Sequence, residues 1–201
     1  MNESGTRRKT DFEQPSLLFL AEDRLKAILG GPLLYNPFFE KQGGFRGDER
    51  VLDFGCGGGV GTRCIAKQLT CGGKVTGVDL SSTLLKRARR RSRKYPNAEL
   101  LKGDIRTLEL KKEGFDVISI VHVLHDIDAD ERASYVGRLA NLLKSGGRIW
   151  ILEPTRESHG MRVEEIRTLM LNVGLEETSH AVRKNDYRGV FQMMKRTPEN
   201  T

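Results

Sequence analysis

Apolar positions in this chain change their period along its length. From Ser16 to Leu29, Leu17, Leu20, Ala21, Leu25 and Ile28 fall at helical spacing, and Gly30-Gly31-Pro32 stops that helix. Leu33 to Phe39 is a second apolar patch, followed by a loop marked by Gly43, Gly44 and Gly47. From Arg50 onward short apolar runs alternate with helical stripes. Val51–Phe54, Val75–Val78, Glu99–Leu101, Phe115–Val121 and Arg148–Glu153 read as strands. Between them, helices are predicted around Thr62–Leu69, from Ser81 or Ser82 to Tyr95, and from Asp128 to Gly146-Gly147. Asp128 and Glu131 have the spacing of a capping box. A further helix is striped by Val163, Ile166, Leu169, Met170 and Val173 and closed by Gly174, and two strands follow near Glu176–Val182 and Val190–Lys195.

Strands alternating with helices imply a mostly parallel sheet covered on both faces. The last two strands have no helix between them and pair only as an antiparallel hairpin at one edge. The 201 residues, at ~150 per domain, suit one domain with an appendage: a flexible N-terminus and short helical lid over 1–45, then the main domain over 46–201. No uncharged apolar run approaches the ~18 residues that span a bilayer, so no membrane insertion is expected.

Charge alters this picture in one place. Lys and Arg number 34 and Asp and Glu 27, a net charge of +7. Residues 86–94 hold seven basic side chains and no acid, so the remainder balances at 27 against 27. A dedicated nucleic-acid binder would be basic more widely. At 1.5 Å rise per residue, Arg90 lies ~12 Å from its helix start, so the charges gather at the far end, where cations favour the helix dipole. A solvated helix face is the favoured reading over an RNA- or membrane-binding stripe. No aromatic residue interleaves the run to stack on bases. Cys56, Cys64 and Cys71 fit no zinc spacing, so no metal is expected. Their odd, sparse number suggests a reducing, cytoplasmic setting.

The most informative segment is Val51-Leu52-Asp53-Phe54-Gly55-Cys56-Gly57-Gly58-Gly59-Val60-Gly61. A buried strand feeds a glycine turn that opens a helix. Such a turn lets a ligand approach the main chain, and the helix start offers free N–H groups. The dinucleotide fingerprint Gly-x-Gly-x-x-Gly fails, because Val60 or Thr62 occupies its last position in either frame. A Walker loop fails for want of Gly-Lys-Ser/Thr.

The acid-x-Gly-x-Gly-x-Gly pattern of Asp53, Gly55, Gly57 and Gly59 resembles motif I of the class I S-adenosylmethionine (SAM) methyltransferases. Val78-Asp79-Leu80 is similar to that family's ribose-binding strand end, and Gly103-Asp104-Ile105 to its adenine-binding turn. Phe115–Ile118, Leu124-His125-Asp126, Leu143–Arg148 and Ile151–Pro154 extend the likeness over about residues 45–195. The resemblance implies an α/β, Rossmann-like doubly wound sheet of seven strands in the order 3-2-1-4-5-7-6, strand 7 antiparallel. It implies a SAM site made of Asp53, Gly55, Cys56, Gly57, Gly59, Asp79, Leu80, Asp104, Ile105 and Ile120. A carboxylate suits the ribose diol because its two oxygens accept two hydrogen bonds.

Methyl transfer is an in-line displacement, so the chain mainly aligns the acceptor and excludes water. His122 and His125 follow the fourth strand, where an acceptor should approach. His125, with Asp126 beside it, is the candidate base. The alternative is that His125 bonds to backbone and shapes the pocket. Tyr35, Phe38 and His122 are candidate acceptor contacts; the alternative for the aromatics is that they pack the lid onto the sheet. No Asn/Asp-Pro-Pro-Tyr/Phe follows the fourth strand, and every cysteine precedes it, so base-nitrogen and cytosine-C5 chemistry are unsupported. The remaining pattern resembles the small-molecule, ubiquinone/menaquinone-biosynthesis branch, although Asp126 stands where those enzymes often carry a second histidine. Methylation of RNA or protein, docked on helix 82–95, and a non-catalytic SAM-binding module remain as alternatives.

Overall fold

The computed structural model describes residues 33–42 and 44–194. The helix expected over residues 16–29 lies outside the described residues. The strands are β1 (Arg50–Phe54), β2 (Lys74–Asp79), β3 (Ala98–Lys102), β4 (Phe115–Val121), β5 (Leu143–Arg156), β6 (His159–Gly160), β7 (Leu175–Val182) and β8 (Asp186–Met193). The α-helices are α1 (Asn36–Lys41), α2 (Val60–Gln68), α3 (Ser82–Ser92), α4 (Arg132–Leu142) and α5 (Val163–Leu171). A 3-10 turn spans Leu124–Asp126.

Seven strands run in the order β3-β2-β1-β4-β5-β8-β7. β1 to β5 are parallel, and β8 is antiparallel to both its neighbours. This is the expected seven-strand topology, with the closing hairpin inserted at the β5 edge. One element was not expected: β6 folds back on the end of β5, pairing Arg156 with His159 and Thr155 with Gly160.

Side chains alternate between the two faces of the sheet, as a strand's period of two requires. Leu52, Ile118, Ile149, Ile151 and Phe191 join Val136, Leu139, Ile166 and Met170 of α4 and α5 in one core. Val51, Val75, Val117, Trp150 and Val190 join Phe38, Phe39 and Ile65 of α1 and α2 in the other. Each face carries its own helical layer.

Two expected boundaries move. Asp128 and Glu131 do not cap α4, which begins at Arg132 with no side-chain cap. The Glu131 carboxylate instead accepts a 2.9 Å bond from Arg106. The same helix ends at Leu142, short of Gly146-Gly147, because Leu143 already pairs with Phe115 in the sheet. A register shift between Phe115 and Val117 then brings Arg148 opposite Val117.

Candidate functional site

The parallel strands all end on one side of the sheet, and a crevice opens there. Gly55, Asp79, Leu80, Asp104, Ile105, Val123, Asp126, Ile127 and Tyr135 are among the residues that line it. It lies at the carboxyl ends of β1 and β2, beside the point between β1 and β4 where strand order reverses.

The glycine loop is braced from three sides. The Cys56 amide donates to the Val78 carbonyl, tying the loop to β2. Gly59 has φ +78°, and a Cβ there would lie 2.6 Å from the Cβ of Ala88, so α3 packs directly on the loop backbone. Arg91 of α3 donates to the Gly58 carbonyl. The basic helix therefore supports the loop with one of its own arginines. Its apolar stripe of Leu84, Leu85 and Ala88 is buried.

Asp79 is partly buried at the end of β2. Its Oδ2 accepts the Gly57 amide at 2.7 Å and its Oδ1 the Ser81 amide at 2.8 Å. The carboxylate thus stands in the crevice against the glycine loop. Burial raises its pKa, and the two amides oppose that rise. Leu80 beside it is 42% exposed, an apolar side chain left open on the crevice wall.

Asp53 sits beneath the loop, nearly inaccessible, and accepts the Thr62 hydroxyl at 2.6 Å. Burial and the charge of Asp79 push its pKa up to about 6, against the pull of Thr62. Asp104 lies across the crevice. Its carboxylate accepts a bidentate bond from Arg106 and a 3.1 Å bond from the Tyr135 hydroxyl. Burial works to raise its pKa, but the Arg106 bonds outweigh it and hold the group below the usual range. The Arg106 guanidinium also stacks 4.1 Å over the Tyr135 ring.

Three expected cofactor or acceptor contacts are otherwise employed. The Cys56 thiol is buried, and its amide and carbonyl are spent on Val78 and Gly59. Ile120 is fully buried in the core on the α4 and α5 face. Phe38 is fully buried, with its ring centroid 5.4 Å from that of Phe39, which in turn packs on Trp150. It anchors α1 to the sheet and does not line the crevice. Ile120 and Phe38 lie on a strand and a helix face that point into a core, whereas Cys56 sits in the glycine loop with its thiol turned toward Gly77 of β2. Tyr35 stays partly exposed next to the start of α2, where a Cβ on Gly61 would lie 3.0 Å from its ring.

Beyond β4 the chain turns sharply. His122 takes φ +58°, a left-handed conformation uncommon for a non-glycine residue, and its amide donates to Leu152. The turn delivers His125, whose side chain is only 4% exposed. Its Nδ1 lies 2.6 Å from Oε2 of Glu153. Glu153 is wholly buried at the end of β5, and its Oε1 accepts the amides of Val123 and Leu124, both at 2.8 Å. Glu153 thus holds both the histidine ring and the turn that carries it. His159 of β6 completes the group, its Nε2 3.1 Å from Nε2 of His125. Sequence reasoning noticed Glu153 only as the end of a strand and missed His159. The one available signal was an acid placed at the mouth of the apolar fifth strand.

Residues 51–147 match a family model described as a methyltransferase domain. A demethylmenaquinone methyltransferase of Tropheryma whipplei is 34% identical over 112 residues, 55% of this chain and 44% of that protein. The chain spans about a third to a half of the curated relatives that it matches. Among solved structures, a SAM-dependent methyltransferase from Aquifex aeolicus superposes with a TM-score of 0.73 at 19% identity, covering 87% of this chain and 98% of that one. The 1,6-didemethyltoxoflavin-N1-methyltransferase of Burkholderia thailandensis, solved with its acceptor and S-adenosylhomocysteine (SAH), gives 0.66 at 17% identity, covering 88% of each chain. These two structural likenesses speak for the fold.

Proposed function

We propose, from the premise that this chain belongs to the class I SAM-dependent methyltransferase family, that it transfers the SAM methyl group to a small-molecule acceptor. The observation that carries the reading is the position of Asp79. A carboxylate at the end of β2 faces an open crevice and touches the glycine loop through Gly57. It can accept both hydroxyls of a ribose. The crevice is neither filled by side chains nor turned away from that carboxylate.

The residues fit the cofactor part by part. Asp79 would hold the ribose, and Leu80 and Ile105 offer apolar faces for the adenine. Asp104, kept ionised by Arg106, would accept from the adenine amino group. The glycine loop from Gly55 to Gly59 and the buried Asp53 lie toward the methionine end. When bound, SAM supplies the electrophilic methyl carbon; the chain supplies position and a dry setting.

His125 is the candidate proton acceptor for an acceptor hydroxyl or amine. Its Nδ1 side is held by Glu153, and Nε2, which now lies 3.1 Å from His159, is the atom that would take the proton. Tyr35, beside the start of α2, and His122, at the turn after β4, are proposed as acceptor contacts. The names of two similar proteins, a demethylmenaquinone methyltransferase and a 1,6-didemethyltoxoflavin-N1-methyltransferase, support a small ring-containing acceptor. Arg91 bound to Gly58 supports the structural reading of the basic helix over a docking one. We place the reaction in a reducing, cytoplasmic setting, which the free thiols Cys56, Cys64 and Cys71 favour. Among the described residues no helix is long and apolar enough to cross a membrane.

The test is transfer of labelled methyl from SAM into a fractionated lysate. Label in the small-metabolite fraction, lost in His125→Ala, is the expected result. Label in RNA or protein would replace the acceptor class. SAH binding without any transfer would leave a binding module.

A further inference from the structure

We propose that His125, Asp126 and His159 form a binding site for a divalent cation of the zinc class. Nothing in their spacing suggests it: two are adjacent and the third lies 34 positions after His125. The fold brings them together. The turn after β4 presents His125 and Asp126, and the short β5–β6 hairpin folds His159 back over them.

The geometry is specific. The Nε2 atoms of His125 and His159 are 3.1 Å apart. Oδ1 of Asp126 lies 3.5 Å from the first and 3.8 Å from the second. A circle through three atoms so placed has a radius of about 2.0 Å, the length of a zinc–nitrogen or zinc–carboxylate bond. A cation at or just above its centre therefore meets all three at bonding distance with no rearrangement. Three protein ligands on one side leave a fourth tetrahedral position for water or for an acceptor atom.

The surroundings match a metal centre as well. A metal-bound histidine commonly gives its other N–H to a carboxylate, which fixes the ring and raises its basicity. Glu153 does this for His125 Nδ1, and it is itself held by the amides of Val123 and Leu124. A plain hydrogen bond from His159 to His125 accounts for the 3.1 Å contact. The Asp126 carboxylate pairs with both rings at ion-pair distance across the same gap, so three donor atoms of metal-ligating type converge on one point. Two imidazoles and one carboxylate suit zinc, cobalt or nickel, and not magnesium or calcium, which prefer oxygen ligands.

Asp126 also lines the crevice, so the cation would stand on its rim. A cation and a proton exclude each other on His125 Nε2. The metal-loaded and metal-free proteins would thus present an acceptor with a Lewis acid or a base at the same place. Cation binding itself does not depend on the methyl-transfer reading, and its test uses no acceptor.

The experiment is titration of the chelator-treated full chain with Zn²⁺ by calorimetry and with Co²⁺ by visible absorption. The expected result is one saturable ion per chain, with the intense visible bands of four-coordinate Co²⁺. His159→Ala should weaken binding at least about tenfold, and Glu153→Gln by about 10–100-fold through the histidine that it orients. Thermal unfolding of each variant shows that the fold is retained; should His159→Ala lose it, His159→Gln takes its place. No saturable binding, the same affinity in the His159 variant, or equal competition by Mg²⁺ overturns the proposal.

Discussion

The carboxylate of Glu153 and the imidazole of His125 are 2.6 Å apart, although 28 residues separate them in the chain. One belongs to the end of β5, the other to the turn after β4. Because β4 and β5 are parallel neighbours, both arrive at the same end of the sheet. The pairing gives the histidine a fixed orientation, and it does so from a position where Glu153 is shielded from water.

Replacing Glu153 by Gln keeps the shape and removes the charge. The Gln amide cannot serve both the two backbone N–H groups and Nδ1–H with acceptors as good. We expect the rate of transfer at saturating SAM to fall about tenfold or more, with SAH affinity unchanged. Single-turnover kinetics beside calorimetry checks this. An unaltered rate would show that the orientation of His125 has no part in the reaction.

Asp79 offers the crevice its carboxylate. Each hydrogen bond to a charged acceptor contributes about 1.5–3 kcal/mol, and about 1.4 kcal/mol is a factor of ten in affinity. Asp79→Ala should therefore weaken SAH binding by at least about tenfold. Calorimetry with SAH reads the change, and equal affinity in the variant sinks the assignment of the crevice.

Gly59 combines a φ of +78° with contact against Ala88. A methyl there meets both a left-handed backbone penalty and an overlap with α3. Gly59→Ala is expected to cost about 2–4 kcal/mol, or a fall of roughly 4–16 °C in Tm for a domain of this size. Combining it with Ala88→Gly should cost less than the sum of the two single changes, since the overlap is gone and the backbone strain is not. Simple additivity in thermal unfolding would mean that α3 moves away freely.

Asp53 has a folded pKa of about 6 against an ordinary 3.8. The sign follows from where each state holds its proton. Below about pH 4 the group is protonated folded or unfolded and costs nothing. As pH rises toward 6 the unfolded chain ionises first, so stability is lost, and above 6 the loss is complete at about 3 kcal/mol. Asn at this position can still accept the Thr62 hydroxyl and carries no charge. The stability of Asp53→Asn relative to the parent should rise between pH 4 and 6 and then level off. Urea denaturation across that range measures it, and a flat difference would contradict the shift.

The chain order of the elements, the parallel sheet with its closing hairpin, and the glycine loop with acids at the ends of β1 and β2 were all legible from the residues. Each rests on local signals: a period of two or 3.6, a glycine at a turn, an acid at a strand end. These depend on neighbours a few positions apart. The partnerships of Glu153 with His125 and of His159 with both His125 and Asp126 had no such signal. Which side of a core Phe38, Cys56 and Ile120 would face was no more visible, nor that Glu131 would serve Arg106 and leave α4 uncapped. Those depend on which strands lie side by side and on where a two-residue hairpin folds. Side chains distant in sequence meet only once backbone pairing has set the register, so that part belonged to the tertiary structure alone.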